Sequence, residues 1–128
     1  MNKPNFDLTG KVAVVTGAGG VLGGNIAQSL ASIGVKVVVL GRSPENILIR
    51  TEEINMAGGE AMPVMCDVVD MEELICARTE ILKRWKTIDI LINCAGGNMP
   101  GANINPDQTF FDMNTEEWEK VLELNQNG

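Results

Sequence analysis

The stretch Lys11–Gly24, "KVAVVTGAGGVLGG", decides the fold. Val12–Val15 is a continuous apolar, β-branched run of strand length, which predicts a buried strand. It stops at Thr16, and six of the next eight residues, Gly17–Gly24, are Gly or Ala. Leu22, Ile26, Leu30 and Ile33 then recur at spacings of four, four and three, a helix face that Gly34 ends. A strand, a turn nearly bare of side chains and a helix thus follow one another directly.

The same alternation continues outward. "VKVVVL" (Val35–Leu40) predicts a second strand. Ser43-Pro44 caps and starts a second helix carrying Ile47, Ile54 and Ala57, and Gly58-Gly59 ends it. "AMPVMC" (Ala61–Cys66) is a weaker third strand whose Pro63 suggests incomplete pairing at its start. Asp70 and Glu73 form a capping-box-like opening for a third helix, with Leu74, Ile75, Ile81, Leu82 and Trp85 inside. "IDILI" (Ile88–Ile92) is a fourth strand, and a polar loop runs from Asn93 to about Met113. Asn114 and Glu117 open a last helix with Trp118, Val121 and Leu122 inward. Short apolar strands alternating with amphipathic helices imply right-handed crossovers and a parallel sheet covered on both faces. The expected fold class is α/β: one Rossmann-type domain over residues 1–128, the first half of a doubly wound sheet with strand order 3-2-1-4.

Composition narrows the functions. The 128 residues carry a net charge of −7, which argues against a nucleic-acid partner, since phosphate contacts need clustered Lys and Arg. No apolar run approaches membrane-spanning length, and "MNKPNFDLTG" lacks a signal-peptide core. Cys66, Cys76 and Cys94 are odd in number and form no CxxC, which points to a reduced, cytoplasmic setting. With no histidine, a metal site of the zinc type and a Ser-His or Cys-His nucleophile are both disfavoured.

In such a sheet the turn from the first strand into the first helix is where a dinucleotide pyrophosphate sits. Gly17 allows the tight turn, Gly19 and Gly20 let the backbone approach phosphate oxygens, and Gly23 lets the helix pack close to the strand. The spacing G-x-G-x-x-x-G is one residue longer than the general fingerprint. The plainer alternative is a Gly-rich turn without a ligand. The end of the second strand supplies another signal. An NAD site places Asp or Glu there for the ribose 2′-hydroxyl, whereas this chain has Gly41 followed by Arg42. Without the carboxylate a 2′-phosphate is not repelled, and the guanidinium pairs with it. NADP(H) is therefore favoured over NAD(H), a solvated surface arginine being the alternative.

These residues resemble the short-chain dehydrogenases/reductases. "TGAGGVLG" (Thr16–Gly23) is similar to the family's TGxxxGxG, "CDV" (Cys66–Val68) to its Asp-Val pair after strand 3, and "NCAG" (Asn93–Gly96) to its NNAG. "LNQNG" (Leu124–Gly128) resembles the segment around its helix asparagine. Within the family, "GGVLGG", "NCAGGNMPGAN" and "FFDMNTEEWEKVLELN" resemble the D-mannonate oxidoreductase (fructuronate reductase) branch, near the gluconate 5-dehydrogenases. The resemblance implies that Gly17, Gly19, Gly20, Leu22 and Gly23 line the pyrophosphate. It implies that Asp67 accepts from the adenine amino group with Val68 beside the ring. Asn93, Ala95 and Gly96 would line the adenosine ribose. Asn125 matches the asparagine of the family's catalytic tetrad. Asp67 as an Asx turn, Asn93–Gly96 as strand-end packing and Asn125 as a helix cap are the alternatives. On spacing, Asn125 continues the Trp118, Val121, Leu122 face, so its side chain is expected to turn inward and need a partner. Two positions depart from the family pattern, Val21 for the middle glycine and Cys94 for the second asparagine; Cys94 is expected to pack rather than react.

The family reaction is hydride transfer between a nicotinamide and an alcohol or ketone, with a Tyr, a Lys and a Ser at the reacting carbon. The resemblance implies a sugar-acid substrate of the D-fructuronate/D-mannonate kind and a homo-oligomer, dimer or tetramer. The chain has no tyrosine and stops within the helix that opens near Asn114. It is expected to be truncated there and inactive alone, the alternative being a non-catalytic nucleotide-binding fragment lacking the Ser-Tyr-Lys half.

Overall fold

The computed structural model describes residues 6–97 and 102–128, so part of the polar loop after the fourth strand lies outside the described residues. Its elements in order are β1 (Val12–Thr16), α1 (Val21–Ser32), β2 (Lys36–Gly41), α2 (Pro44–Met56), β3 (Glu60–Met65), α3 (Met71–Trp85) and β4 (Ile90–Ile92). A 3-10 turn at Phe110–Asp112 precedes α4 (Thr115–Leu122), which runs into a π turn, Glu123–Asn127. All pairings are parallel and the strand order is β3-β2-β1-β4, as the alternation of strand and helix requires. Among the described residues, no helix is long and apolar enough to cross a membrane.

The period-2 geometry of the strands splits the core between the two faces of the sheet. On one face Ala13, Val15, Val37, Val39 and Ala61 pack against Ala27 and Ala31 of α1 and Ile47 and Ile54 of α2. On the other Val12, Val14, Val38, Leu40, Met62 and Val64 pack against Ala77 and Ile81 of α3, with Leu124 at the margin. β1 and β2, central in the sheet, are apolar on both faces, which explains why they read as continuous runs.

Several sequence expectations need correction. The fully buried face of α1 is Gly23, Gly24, Ala27 and Ala31; of the larger residues expected there, Leu30 packs against the core from its margin and Ile26 is half-buried. Leu22 and Ile33 are 70% and 54% exposed, because small residues are what let α1 lie close on β1. On α2, Ala57 is an exposed C-cap, and the buried third residue is Thr51, whose hydroxyl donates to the Ile47 carbonyl at 2.7 Å. On α3, Ile75 and Leu82 are exposed, since the line that meets the sheet is Leu74, Ala77, Ile81 and Trp85, of which Leu74 and Trp85 are as expected. β4 starts at Ile90 rather than Ile88: the Asp89 carboxylate accepts from the Val12 N–H at 2.9 Å, so a side chain takes over where a ladder bond would begin. Pro63 does not interrupt β3, which is paired throughout Glu60–Met65; the strand lies at the sheet edge, where a missing N–H is tolerated. On α4, Trp118 and Leu122 are 43% and 40% exposed. Periodicity reveals an amphipathic helix but not what covers it, and among the described residues Leu124 alone on this segment joins the core.

Thr16 ties the sheet together at its functional end. Its hydroxyl oxygen accepts from the Cys94 and Ala95 N–H groups, both at 3.0 Å, which joins the end of β1 to the chain leaving β4. Thr16→Val keeps the shape but leaves both donors unpaired, at a cost of about 2 kcal/mol. Thr16→Ser keeps the oxygen and is expected to lose less than about 1 kcal/mol. Urea unfolding of the two variants checks this, and equal losses would mean that the hydroxyl braces nothing.

Candidate functional site

Parallel strands deliver their carboxyl ends to one edge of the sheet, and the loops there form a groove. Three adjoining clefts make it up, and Arg42 borders all of them. The middle cleft is lined by Gly17, Gly41, Arg42, Cys66, Val68, Ala95, Gly96 and Leu124. Toward α2 it opens between the Gly17–Gly20 turn and Ser43, Asn46 and Ile47. Toward α4 it opens between Arg42, Asp67, Val69, Lys120, Glu123 and Leu124. Val12 begins β1 at the opposite edge, where a separate cleft lies between the ends of α1 and α2, lined by Gln28, Ser32, Glu53 and Ala57 and without the glycine turn.

The glycine turn is shaped by close approach. Gly17 has φ +62°, and a Cβ on it would lie 2.7 Å from the Cys94 carbonyl oxygen. Gly23 is packed against the Gly17 carbonyl, so that a Cβ there would collide with it. The turn closes with the Gly20 N–H donating to the Gly17 carbonyl at 3.1 Å, and Val21 starts α1 at 80% exposure. A β-branched residue therefore stands in place of the family's middle glycine without displacing anything.

The N-terminus of α1 differs from those of the other helices in charge as well as shape. Ser43, Asp70 and Asn114 cap α2, α3 and α4 through their side chains, and each of those helices has acidic residues in its first turn. α1 begins at Gly20 with no side-chain cap and no acidic residue. Its first N–H groups and the positive end of its dipole are left facing the glycine turn. A pyrophosphate fits this cradle: there is no Cβ to block it, no carboxylate to repel it, and there are free donors to hold it.

Arg42 is exposed and makes no ion pair or hydrogen bond among the described residues. Its neighbour Gly41 is hemmed in, because a Cβ there would lie 3.0 Å from Ile47 Cγ2. Across the groove Asp67 is half-buried, and its Oδ1 accepts from the Val69 N–H at 3.2 Å, an Asx turn that leaves Oδ2 without a hydrogen bond among the described residues. The Asx turn expected as an alternative is thus present, and it coexists with a free acceptor on the groove.

Asn125 finds a backbone partner instead of a buried one. Its Oδ1 accepts from the Gly97 N–H at 2.9 Å, and its Nδ2 donates to the Gly97 carbonyl at 2.7 Å. This reciprocal pair anchors the loop after β4 to the segment after α4, and the residue itself is exposed. Of the residues singled out in the sequence, Gly17, Gly19, Gly20, Arg42, Asp67, Val68, Ala95 and Gly96 line the groove. Gly23 lies under it, Asn93 and Leu22 are exposed away from its lining, and Asn125 stands behind Gly96–Gly97. Leu124, Ser43, Asn46 and Lys120 also line it and were not anticipated, although Thr16 had a visible signal as the one polar residue ending an apolar strand.

Cys66 lies in the groove wall, 3% exposed, and Cys94 is half-buried against the α1–α2 side of the core. Burial, then the nearby carboxylates of Glu73, Asp67 and Asp70 and the Cys76 thiol, push the Cys66 thiol up from its ordinary value. Both access and ionisation therefore act against its reaction. Iodoacetamide at neutral pH is expected to label exposed Cys76 well before Cys66, followed by peptide mass spectrometry. Labelling of Cys66 at the rate of Cys76 would contradict the packing described.

Comparison with known proteins places this geometry. Residues 11–128 match the family model described as short chain dehydrogenase. An uncharacterized oxidoreductase, UxuB of Bacillus subtilis, is 39% identical over 95% of this chain and 47% of its own length. A crystal structure provisionally assigned as a D-mannonate oxidoreductase from Haemophilus influenza, with bound NAD, superposes with a TM-score of 0.87 at 35% identity, covering 95% of this chain and 47% of that one. A metagenomic short-chain oxidoreductase in complex with NADP gives a TM-score of 0.80 at 33% identity, covering 94% of this chain and 52% of that one. The chain thus spans about half the length of the relatives it matches. With the strand–glycine turn–helix unit, the 3-2-1-4 sheet and the family match over 11–128 in agreement, this chain belongs to the short chain dehydrogenase family.

Proposed function

We propose that the protein is an NAD(P)-dependent oxidoreductase of the short-chain dehydrogenase type, and that these residues form its cofactor-binding half. The observation that carries this reading is the uncapped, acid-free N-terminus of α1 behind Gly17–Gly20, opening onto the groove that Arg42 and Asp67 border. Gly17, Gly19, Gly20 and Gly23, with the exposed Leu22 beside them, would hold the pyrophosphate. Asp67 and Val68 would hold the adenine, and Asn93, Ala95 and Gly96 the adenosine ribose. Arg42 would pair with a 2′-phosphate, so NADP(H) is favoured over NAD(H); solved relatives carry either one. The bound nicotinamide supplies or accepts a hydride. Asn125, through its grip on Gly97, would keep the loop after β4 in place beside the reacting groups.

The substrate reading is a sugar acid of the D-fructuronate/D-mannonate kind, supported by the sequence stretches of that branch and by the assignment of one solved relative. A homo-oligomer, dimer or tetramer, in the cytoplasm completes the proposal. The 128 residues contain no tyrosine, so by themselves they offer no proton donor of the family type, and binding without turnover is expected of them. Titration with NADPH, followed by the change in its fluorescence, tests the cofactor reading, and absence of binding by the folded chain would overturn it. The full-length gene product, assayed for NADPH oxidation, tests the substrate. Reduction of D-fructuronate supports the proposal; indifference to it together with turnover of a steroid or an acyl thioester refutes it.

A further inference from the structure

Glu73 does not close the capping box that its spacing from Asp70 suggests. In a capping box the third-position carboxylate returns to the N-cap N–H. Here the Asp70 N–H is taken by the Asp67 carbonyl at 3.0 Å, and Glu73 reaches further back: its Oε2 accepts from the Asp67 N–H at 2.5 Å. Asp70 caps α3 without help, accepting from the Glu72 and Glu73 N–H groups at 3.0 and 3.2 Å. The Glu73 side chain is therefore not needed to start the helix. It acts on the turn that follows β3.

That turn borders the groove. Every polar group of Asp67 but one is engaged: its N–H by Glu73, its carbonyl by Asp70, its Oδ1 by Val69. With φ, ψ and the carboxylate all constrained, Oδ2 is the one acceptor of Asp67 left without a hydrogen bond among the described residues, on a residue that lines the groove beside Val69. A short charge-assisted bond to a backbone N–H is among the stronger holds a side chain can exert on a loop. We propose that Glu73 is a positioning residue for recognition of the purine: it fixes the Asp67–Val68 turn so that Oδ2 meets an exocyclic amino group. This rests on the cofactor reading above. A carboxylate so placed attracts the 6-amino group of adenine and repels the 6-oxo group of hypoxanthine.

The test compares NADP with its 6-oxo analogue, nicotinamide hypoxanthine dinucleotide phosphate, on the wild type, Glu73→Ala and Glu73→Gln, by isothermal titration. The wild type is expected to prefer adenine by about tenfold, the scale of one charge-assisted hydrogen bond. Glu73→Ala is expected to lose most of that preference, and Glu73→Gln, which keeps an acceptor oxygen, to retain it. A general loss of structure would weaken both ligands alike and leave their ratio unchanged. Glu73 is exposed, so truncating it empties no core volume, and hydrogen exchange at the Asp67 amide, expected to quicken in Glu73→Ala alone, gives a second readout. An unchanged ratio in Glu73→Ala, or no discrimination by the wild type, overturns the role of Glu73 while the cofactor reading stands. Failure of the wild type to bind either dinucleotide overturns both.

Discussion

Gly17→Ala is expected to lower the unfolding free energy by about 3 kcal/mol and to abolish measurable NADPH binding. Two costs combine. At φ +62° an alanine meets the left-handed penalty, about 1 kcal/mol. Its Cβ would also lie 2.7 Å from the Cys94 oxygen, 2.9 Å from the Cys94 carbonyl carbon and 3.0 Å from Ala95 Cα. All three are backbone atoms, held in turn by the Thr16 hydroxyl through the Cys94 and Ala95 N–H groups. Nothing there swings aside as a long side chain would, so relief requires β1 and the loop after β4 to part. Gly10 is the control: its φ is +78°, but nothing lies within 4 Å of a Cβ placed on it. Gly10→Ala should therefore lose only the backbone part, about 1 kcal/mol. Urea unfolding of both variants separates the terms, and two equal losses would show that the crowding at Gly17 is not what the turn depends on.

Much of this architecture was legible in the sequence because its signals are local. Apolar runs of strand length and glycine or proline punctuation fix the order of elements, and parallel crossovers then leave few topologies. The packing faces were less legible. For α1, the larger residues Leu22 and Ile33 look like the inward face, yet the demand at that position is for smallness, and only the neighbouring strand sets it. For α4, Trp118 and Leu122 mark an amphipathic helix correctly, but periodicity carries no information on which partner covers the stripe. In the site, residues sharing one short motif were found, since one turn brings them together. Lys120 and Leu124 lie far along the chain from Arg42 and Asp67, and no spacing rule connects them. Glu73 is the instructive case: the capping-box pattern was visible, and its structural outcome is a different bond.

The second large effect concerns cofactor choice, where position decides the design of the variant. An acid that selects NAD would ordinarily be placed at the end of the second strand. At Gly41, however, a Cβ would lie 3.0 Å from Ile47 Cγ2, and Ile47 is only 1% exposed in the core. Substituting Gly41 would thus mix a packing cost with the electrostatic one. Arg42 is exposed and unpartnered among the described residues, so changing it should leave stability within about 0.5 kcal/mol. Arg42→Asp is expected to reduce the ratio of NADPH to NADH affinity about 100-fold, roughly 3 kcal/mol. About half comes from the lost guanidinium–phosphate bonds and the rest from repulsion between the new carboxylate and the 2′-phosphate. NADH carries no such phosphate, and its affinity should hold or rise. Because the pair is solvent-exposed, added salt should narrow the wild-type preference for NADPH while leaving NADH binding nearly unchanged. Paired titrations at low and high salt measure both quantities, and a ratio that Arg42→Asp leaves where it was would remove the basis for assigning NADP(H) to this groove.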